Sequence, residues 1–220
     1  MVQIGLELGK KIHSAYPNGF VGSIIVGDRG IGKSSYSLRV AHEIFRYNGA
    51  SPNDAWRKAL SCLKFSITDV VNFLEKSAFS DEKEIVLIWD DVGVHGGARL
   101  YFSDQKVVYR LKAVLDTVRT AVSGIIMTTP TLQGLLGVIK SYDDYLIEIR
   151  YTSRGGFYRM ATAYRFRTLP SGKRIVKKKF IDGYNCYLPQ WVFVEYSKMR
   201  KDAMIHNIEK LKKTVEVDAI

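Results

Sequence analysis

Eight residues, Gly27-Asp28-Arg29-Gly30-Ile31-Gly32-Lys33-Ser34, constrain the fold of this chain more than any other stretch. They match G-x-x-x-x-G-K-[ST] in full, and their flanks have the context that pattern requires. Phe20 to Val26 before them reads as a buried strand. Lys33 to Asn48 after them reads as a helix, with Leu38, Ala41, Ile44 and Phe45 on one face and Gly49 just past its end. A strand, a glycine-rich turn and a helix N-terminus in that order form a phosphate cradle. Backbone N–H groups point inward, the helix dipole favours negative charge, and glycines let the backbone approach an anion closely. A chance glycine-rich turn is the alternative, and the strand–helix context argues against it. The cradle residues are Gly27, Asp28, Arg29, Gly30, Ile31, Gly32, Lys33, Ser34 and Ser35. Lys33 would reach the β- and γ-phosphates of a nucleotide, and the Ser34 hydroxyl would ligate Mg²⁺.

At 220 residues, 46% hydrophobic and 25% charged, the chain has the composition of one ordinary globular domain spanning 1–220. No apolar run approaches the roughly 20 residues of a membrane span, and Met1 to Lys11 lacks a signal-peptide core. Two cysteines, Cys62 and Cys186, are too few for a disulfide framework or a zinc site. A reducing, cytoplasmic setting is therefore expected. The net charge of +11 is uneven: Arg150 to Lys213 holds 16 Lys and Arg against four Asp and Glu, a net of +12 that leaves −1 for the rest. Such asymmetry suggests a polyanion-binding face.

Further elements follow from periodicity and stop signals. Residues 3–14 read as a short amphipathic helix ended by Pro17-Asn18-Gly19. Ser51-Pro52 starts a helix with Trp56, Ala59 and Leu60 on its apolar face. Leu63 to Ile67 reads as a short strand, with Thr68 capping the next helix. Glu84-Ile85-Val86-Leu87-Ile88-Trp89 is a strand buried on both faces, as in a parallel sheet, and it ends in Asp90-Asp91. Val92 to Ser103, with Gly93, Gly96 and Gly97, reads as a mobile loop. A helix over 104–122, a strand over 124–129 and a short helix over 131–140 come next. Strands at 145–151, 158–168 and 174–180 follow, with hairpin turns at Arg154-Gly155-Gly156 and Pro170-Ser171-Gly172-Lys173. Pro189 opens a closing helix to about Lys213, in which Trp191, Phe193 and Tyr196 read as core. The expected fold is α/β: a phosphate-loop domain with a central, mainly parallel sheet flanked by helices (about 18–150), extended by antiparallel β-hairpins and one helix (about 151–213).

The two carboxylates after the apolar strand stand where ligands bind in open α/β folds. Asp90 would hold Mg²⁺ opposite Ser34, directly or through water. Asp91 would polarise or position an attacking water, since a metal lowers one pKa and leaves the neighbouring carboxylate as acceptor; the plainer reading is that Asp91 caps the turn before Val92-Gly93. Thr128 and Thr129 end the adjacent strand and would hydrogen-bond the γ-phosphate or the lytic water, or simply terminate that strand before Pro130. Arg110, Arg119, Arg150 and Arg154 are candidates for an arginine finger supplied to a neighbouring subunit, with a solvated surface role as the commoner alternative.

Taken in order, the phosphate loop (27–35), the Phe65-Ser66-Ile67-Thr68-Asp69-Val70 stretch, the strand from Ile85 to Gly93 and the strand from Ile125 to Thr129 resemble the additional-strand class of P-loop NTPases, RecA-like and AAA+ together. Closest in character are the helicase-loader and transposition-helper ATPases, and Trp89-Asp90-Asp91 resembles ATPases of archaeal viruses and plasmids. The resemblance covers about residues 18–150. It implies ATP as the nucleotide, Lys33, Ser34 and Asp90 as phosphate and Mg²⁺ contacts, and Asp91 at the position of the usual catalytic Glu. Two departures stand out. An Asp is one methylene shorter than a Glu, which implies slow or partner-dependent hydrolysis, and β-hairpins with one helix replace a helical lid.

In the extension, Arg159, Arg165 and Arg167 alternate with apolar positions, and Lys173, Arg174, Lys177, Lys178 and Lys179 follow in the next strand. Tyr158, Tyr164, Phe166, Phe180 and Tyr184 are interleaved with them. The charge suggests nucleic acid held through its phosphates; the aromatics face the core or stack bases. The expected activity is Mg-dependent ATP hydrolysis coupled to DNA-associated work, in a homo-oligomer and with a protein partner as a further expectation. A small-molecule kinase and a nucleotide-gated switch are the alternatives.

Overall fold

The computed structural model describes residues 5–80, 82–95, 105–133, 135, 137–140, 144–153, 155–168 and 174–217. Gly96 to Ser103 of the glycine-rich loop, Arg154 and the Pro170–Lys173 turn lie outside the described residues, as do the side chains of Arg110, Arg167 and Arg174. Packing divides the chain into two units, Met1–Tyr187 and Leu188–Ile220.

In the first unit, β1 (Val21–Val26) is buried over its four central residues and leads through residues 27–32 into α2 (Lys33–Tyr47). Ahead of it, α1 (Glu7–Ala15) begins later than the periodicity predicts. Its own first residues supply no side-chain cap, and two carboxylates from elsewhere do the work instead. Glu43 of α2 accepts the N–H groups of Gly5 and Leu6 at 2.7 and 2.9 Å, and Asp182 accepts those of Glu7 and Leu8 at 2.8 and 3.3 Å. Both anions sit where the orphan donors and the dipole of a helix start favour them. Gly124 lets α1 lie close on the sheet, because a Cβ there would stand 2.6 Å from Ile12 Cγ2.

Helix α3 (Pro52–Ser61) starts as predicted, with the Asp54 N–H donating to the Ser51 hydroxyl at 3.2 Å. Strand β2 shrinks to Leu63–Lys64, and α4 (Ile67–Phe79) is capped by Ser66 rather than Thr68. Asp69 decides this: its carboxylate accepts from the Ser66 N–H while the Ser66 hydroxyl accepts from the Asp69 N–H, a reciprocal box that Thr68 cannot form with it. Next come β3 (Glu84–Trp89), a single turn α5 (Val92–His95) where a loop is predicted, α6 (Gln105–Ala121), β4 (Val122–Thr128) and α7 (Gly137–Lys140). The helix predicted over 131–140 is confined to that last turn.

Strands β5 (Tyr145–Tyr151), β6 (Tyr158–Thr168) and β7 (Arg174–Asn185) complete one seven-stranded sheet in the order β2-β3-β4-β1-β5-β6-β7. Neighbouring strands from β2 to β5 pair in parallel, and the β5–β6 and β6–β7 pairings are antiparallel. The fold is thus α/β with a mainly parallel central sheet, and the C-terminal hairpins continue that sheet. β7 outruns its prediction because Ile181 to Asn185 keep pairing with Tyr158 to Thr162. Every residue of β4 is buried, Ser123 and Thr128 included, and Val86 to Trp89 of β3 likewise, which explains the apolar runs at 86–89 and 125–127. One face of β1, β3 and β4 packs with α4 and α6 through Leu74, Leu87, Trp89, Leu111, Leu115 and Ile125. No described helix is long and apolar enough to cross a membrane.

The second unit holds α8 (Gln190–Val217), which starts just after Pro189 as predicted and runs a turn beyond the predicted end at Lys213. Tyr196 is buried as expected, but Trp191 and Phe193 are 40% and 52% exposed, so two of its three predicted core aromatics face solvent.

Candidate functional site

Parallel register brings the sequence-separated candidates to one edge of the sheet. Ile25 is level with Thr128, and Trp89 is level with Met127. The ends of β1, β4 and β3 therefore lie side by side, and Gly27, Thr128 and Asp90 each stand one step beyond or at those ends. This is the carboxyl edge, where open α/β sheets hold ligands.

The phosphate loop has the backbone its glycines allow. Gly27, Gly30 and Gly32 all have positive φ, at 146°, 77° and 107°. Gly32 is the left-handed residue on which α2 begins, and a Cβ there would also meet Cys186 Cβ at 2.9 Å. Only glycine satisfies both demands. Lys33 is 7% exposed, and its ammonium folds back on the loop, donating to the carbonyls of Gly27 at 2.7 Å and Asp28 at 2.8 Å. A buried ammonium held by neutral carbonyls is suited to exchange them for anionic oxygens.

Opposite it, the Ser34 hydroxyl donates to both carboxylate oxygens of Asp90, at 2.8 and 2.9 Å. Asp90 is fully buried and also accepts a short hydrogen bond from the Thr128 hydroxyl. That hydroxyl in turn accepts the Asp91 N–H at 3.0 Å. Thr128 thus ties the two aspartates to the neighbouring strand. Asp91 holds a left-handed φ of 51°, uncommon for a residue with a side chain. The Thr129 hydroxyl closes a local turn on the Thr131 carbonyl at 2.9 Å, and the Thr129 N–H bonds the Ile25 carbonyl. Hydroxyl and carboxylate oxygens are the hard donors that Mg²⁺ selects, and that ion takes few protein ligands when phosphates supply the others. Among the described residues no group of three or more His, Cys, Asp or Glu stands ready to hold a metal alone. The donor set of Ser34 and Asp90 therefore fits a magnesium–phosphate complex.

Strands β6 and β7 add contacts to the loop that the pattern of charges and aromatics in the sequence barely signals. Arg159 is not on a solvent-facing basic surface: it is 8% exposed, and its Nε donates to the Ile31 carbonyl at 3.0 Å. Its other bonds fix it to the hairpin, to Gly156 and Tyr158 carbonyls at 2.7 and 2.8 Å, and its guanidinium carbon lies 4.4 Å from the Tyr151 ring centroid. Tyr184, level with Arg159 on the next strand, donates to the Gly32 carbonyl at 3.0 Å. Burial holds its hydroxyl well above the ordinary phenol range, so it remains a donor. On the first turns of α2, Tyr36 donates to Asp182 at 2.6 Å. Burial raises the Asp182 carboxyl above its usual range, while the Tyr36 hydrogen bond opposes that rise. One signal was available: Arg159 shares strand phase with Ala161 and Ala163, two small residues that are wholly buried. Of the expected surface cations, Lys177, Lys178 and Lys179 are exposed, and Arg165 lies 3.9 Å from Asp144 at the surface.

No family model matches the chain. It is 31% identical over 220 residues to the uncharacterized protein B-251 of Sulfolobus spindle-shape virus 1, matching 97% of this chain and 87% of that one. It is 28% identical over 133 residues to the uncharacterized protein ORF286 of Acidianus two-tailed virus, which covers 58% of this chain and 43% of that one. Viral relatives agree with the resemblance seen around Trp89. Among solved structures, the flagellar accessory protein FlaH from Methanocaldococcus jannaschii overlaps 82% of this chain and 99% of its own at a TM-score of 0.40 and 17% identity. A DnaB-like replicative helicase overlaps 80% of this chain and 58% of its own at a TM-score of 0.44 and 12% identity. The identity with the spindle-shaped-virus protein runs through nearly the whole of both chains, and this chain belongs to the family of protein B-251.

Proposed function

We propose that the protein binds ATP with Mg²⁺ and hydrolyses it. The observation that carries this reading is the contact between Ser34 and Asp90: the phosphate loop and the acidic pair, 56 residues apart, meet at 2.8 Å. In this reading the loop amides and Lys33 hold the β- and γ-phosphates, and Ser34 and Asp90 hold the metal. Magnesium, when bound, neutralises charge that develops on the phosphoryl oxygens. Asp91 orients the attacking water and accepts its proton, while Thr128 fixes both aspartates relative to β4. Thr129 shapes the turn beside them.

The test is phosphate release from Mg-ATP by the full chain and by Lys33→Ala. Release that is lost in the variant supports the site; equal release by both removes it. Because Asp91 reaches one methylene less far than Glu, turnover is expected to be slow in isolation and faster with a partner. Transfer of phosphate to a metabolite, with no free phosphate formed, would favour a kinase instead. Tight ATP-dependent partner binding with negligible turnover would favour a nucleotide-gated switch.

We further propose that the work done is on nucleic acid, by an oligomer. The net +12 between Arg150 and Lys213 supports this, together with the exposure of Lys177, Lys178 and Lys179 in β7. Measuring DNA affinity from low to moderate salt tests it: binding that ignores salt sinks the electrostatic account.

A further inference from the structure

We infer that Arg159 and Tyr184 are positioning residues for the nucleotide phosphates, acting through the backbone of the phosphate loop. The inference rests on the ATP reading of that loop. Arg159 and Tyr184 are directly paired across β6 and β7, and they donate to two successive carbonyls, those of Ile31 and Gly32. In a trans peptide the C=O and the following N–H point in opposite directions within one plane. Drawing the Ile31 and Gly32 carbonyls toward β6 and β7 therefore turns the N–H groups of Gly32 and Lys33 the other way. Those two amides belong to the segment that cradles phosphate at the start of α2.

The arrangement is held from behind. The Arg159 guanidinium is bonded to the Gly156 and Tyr158 carbonyls and lies against the Tyr151 ring, so it approaches the loop already fixed in place. Gly32 lies against Cys186 of the same hairpin, leaving no room for a different loop path on that side. The two contacts are unequal. The Gly32 carbonyl also accepts the Tyr36 N–H at 3.0 Å, so it remains held when the Tyr184 hydroxyl is removed. The Arg159 hydrogen bond is charge-assisted, so its loss should weigh more than that of the Tyr184 hydroxyl.

Tyr184→Phe, Arg159→Lys and Arg159→Ala in the full chain test this by titration with a fluorescent ATP analogue, Mg-ATP turnover and thermal unfolding. Tyr184→Phe is expected to raise the nucleotide Kd and KM roughly threefold to fivefold, and Arg159→Ala roughly tenfold or more. Arg159→Lys should fall between wild type and Arg159→Ala. In each case kcat should stay within about twofold, the pattern of lost binding that is equal in ground and transition state. Unchanged Kd and KM in folded variants, with wild type active, overturns the inference and leaves the ATP reading standing. Wild type that neither binds nor hydrolyses ATP sinks both. Should Arg159→Ala fail to fold, Tyr184→Phe decides alone: it removes one oxygen atom, and an unchanged KM there counts against the inference.

Discussion

In the parallel part of the sheet, the buried charged groups stand at strand ends; in the antiparallel part, they run along the strands. Asp90 follows the last residue of β3, and Lys33 begins the helix after β1, so their place in the topology already points both at the carboxyl edge. In β6 and β7 the same residue types divide by where along the strand they stand: Arg159 and Arg165 share one phase, yet only Arg159 is buried. Arg159 and Asp182 turn inward to the loop and to α1, whereas Arg165 and Lys177 to Lys179 stay outside. A charge at a strand end is read from connectivity, but a charge within a strand is read only once it is known what packs on that stretch of the strand. The +12 of the C-terminal third is therefore not one surface.

The largest effect should come from breaking the strand-end site. Lys33→Ala and Asp90→Ala are each expected to lower Mg-ATP turnover on the order of a hundredfold or more, since each removes charge aimed at the phosphates or their metal. Alanine at two of the three loop glycines sharpens the point. Gly30→Ala places its Cβ in open space and carries only the strain of φ 77°, while Gly32→Ala adds a contact with Cys186 at 2.9 Å. Gly32→Ala should therefore lose more nucleotide affinity than Gly30→Ala. Equal losses in the titration would mean that the hairpin does not press on the loop.

Next in size is the outward face. Replacing Lys177, Lys178 and Lys179 together with Ala should weaken DNA binding about tenfold at moderate salt. The slope of log affinity against log salt should fall by about one for each lysine that contacts a phosphate. Arg159→Lys should leave that slope unchanged, because Arg159 is buried. If Arg159→Lys flattens the slope and the triple variant does not, the division into an inward and an outward set of cations is wrong.

The parallel strands were legible because burial on both faces favours short apolar runs such as Val86 to Trp89 and Ile125 to Met127. The phosphate loop was legible because its octapeptide sits between two such periodic segments. The burial of Arg159 was not, since Arg159 and Arg165 share one strand phase with Ala161 and Ala163, and only Arg159 is covered by the phosphate loop. The start of α4 slipped for a related reason: Ser66 and Thr68 are both capping types, and the choice rests on Asp69 standing three residues after Ser66. Ser66→Ala should cost about 1 kcal/mol in a denaturant titration, and Thr68→Ala much less.

The smallest effect concerns a histidine that neither region uses. His42 stacks on Trp56, ring centroids 4.1 Å apart and planes 21° from parallel, and its Nε2 is buried with no hydrogen-bond partner among the described residues. Burial first, then the nearby Arg39 and Arg46, pushes its imidazolium down from 6.5 to about 4. The folded chain thus refuses a proton that the unfolded chain accepts near 6.5, so stability is lost as the pH falls from there toward 4. His42→Phe keeps a ring for Trp56 and removes the titration. Above about pH 7 the gap in thermal unfolding midpoint between wild type and variant should be constant. Below it, wild type should fall relative to His42→Phe. A gap that stays flat down to pH 4 would show the imidazole charging as freely in the folded chain as in the unfolded one, and the stack on Trp56 would then be open to water.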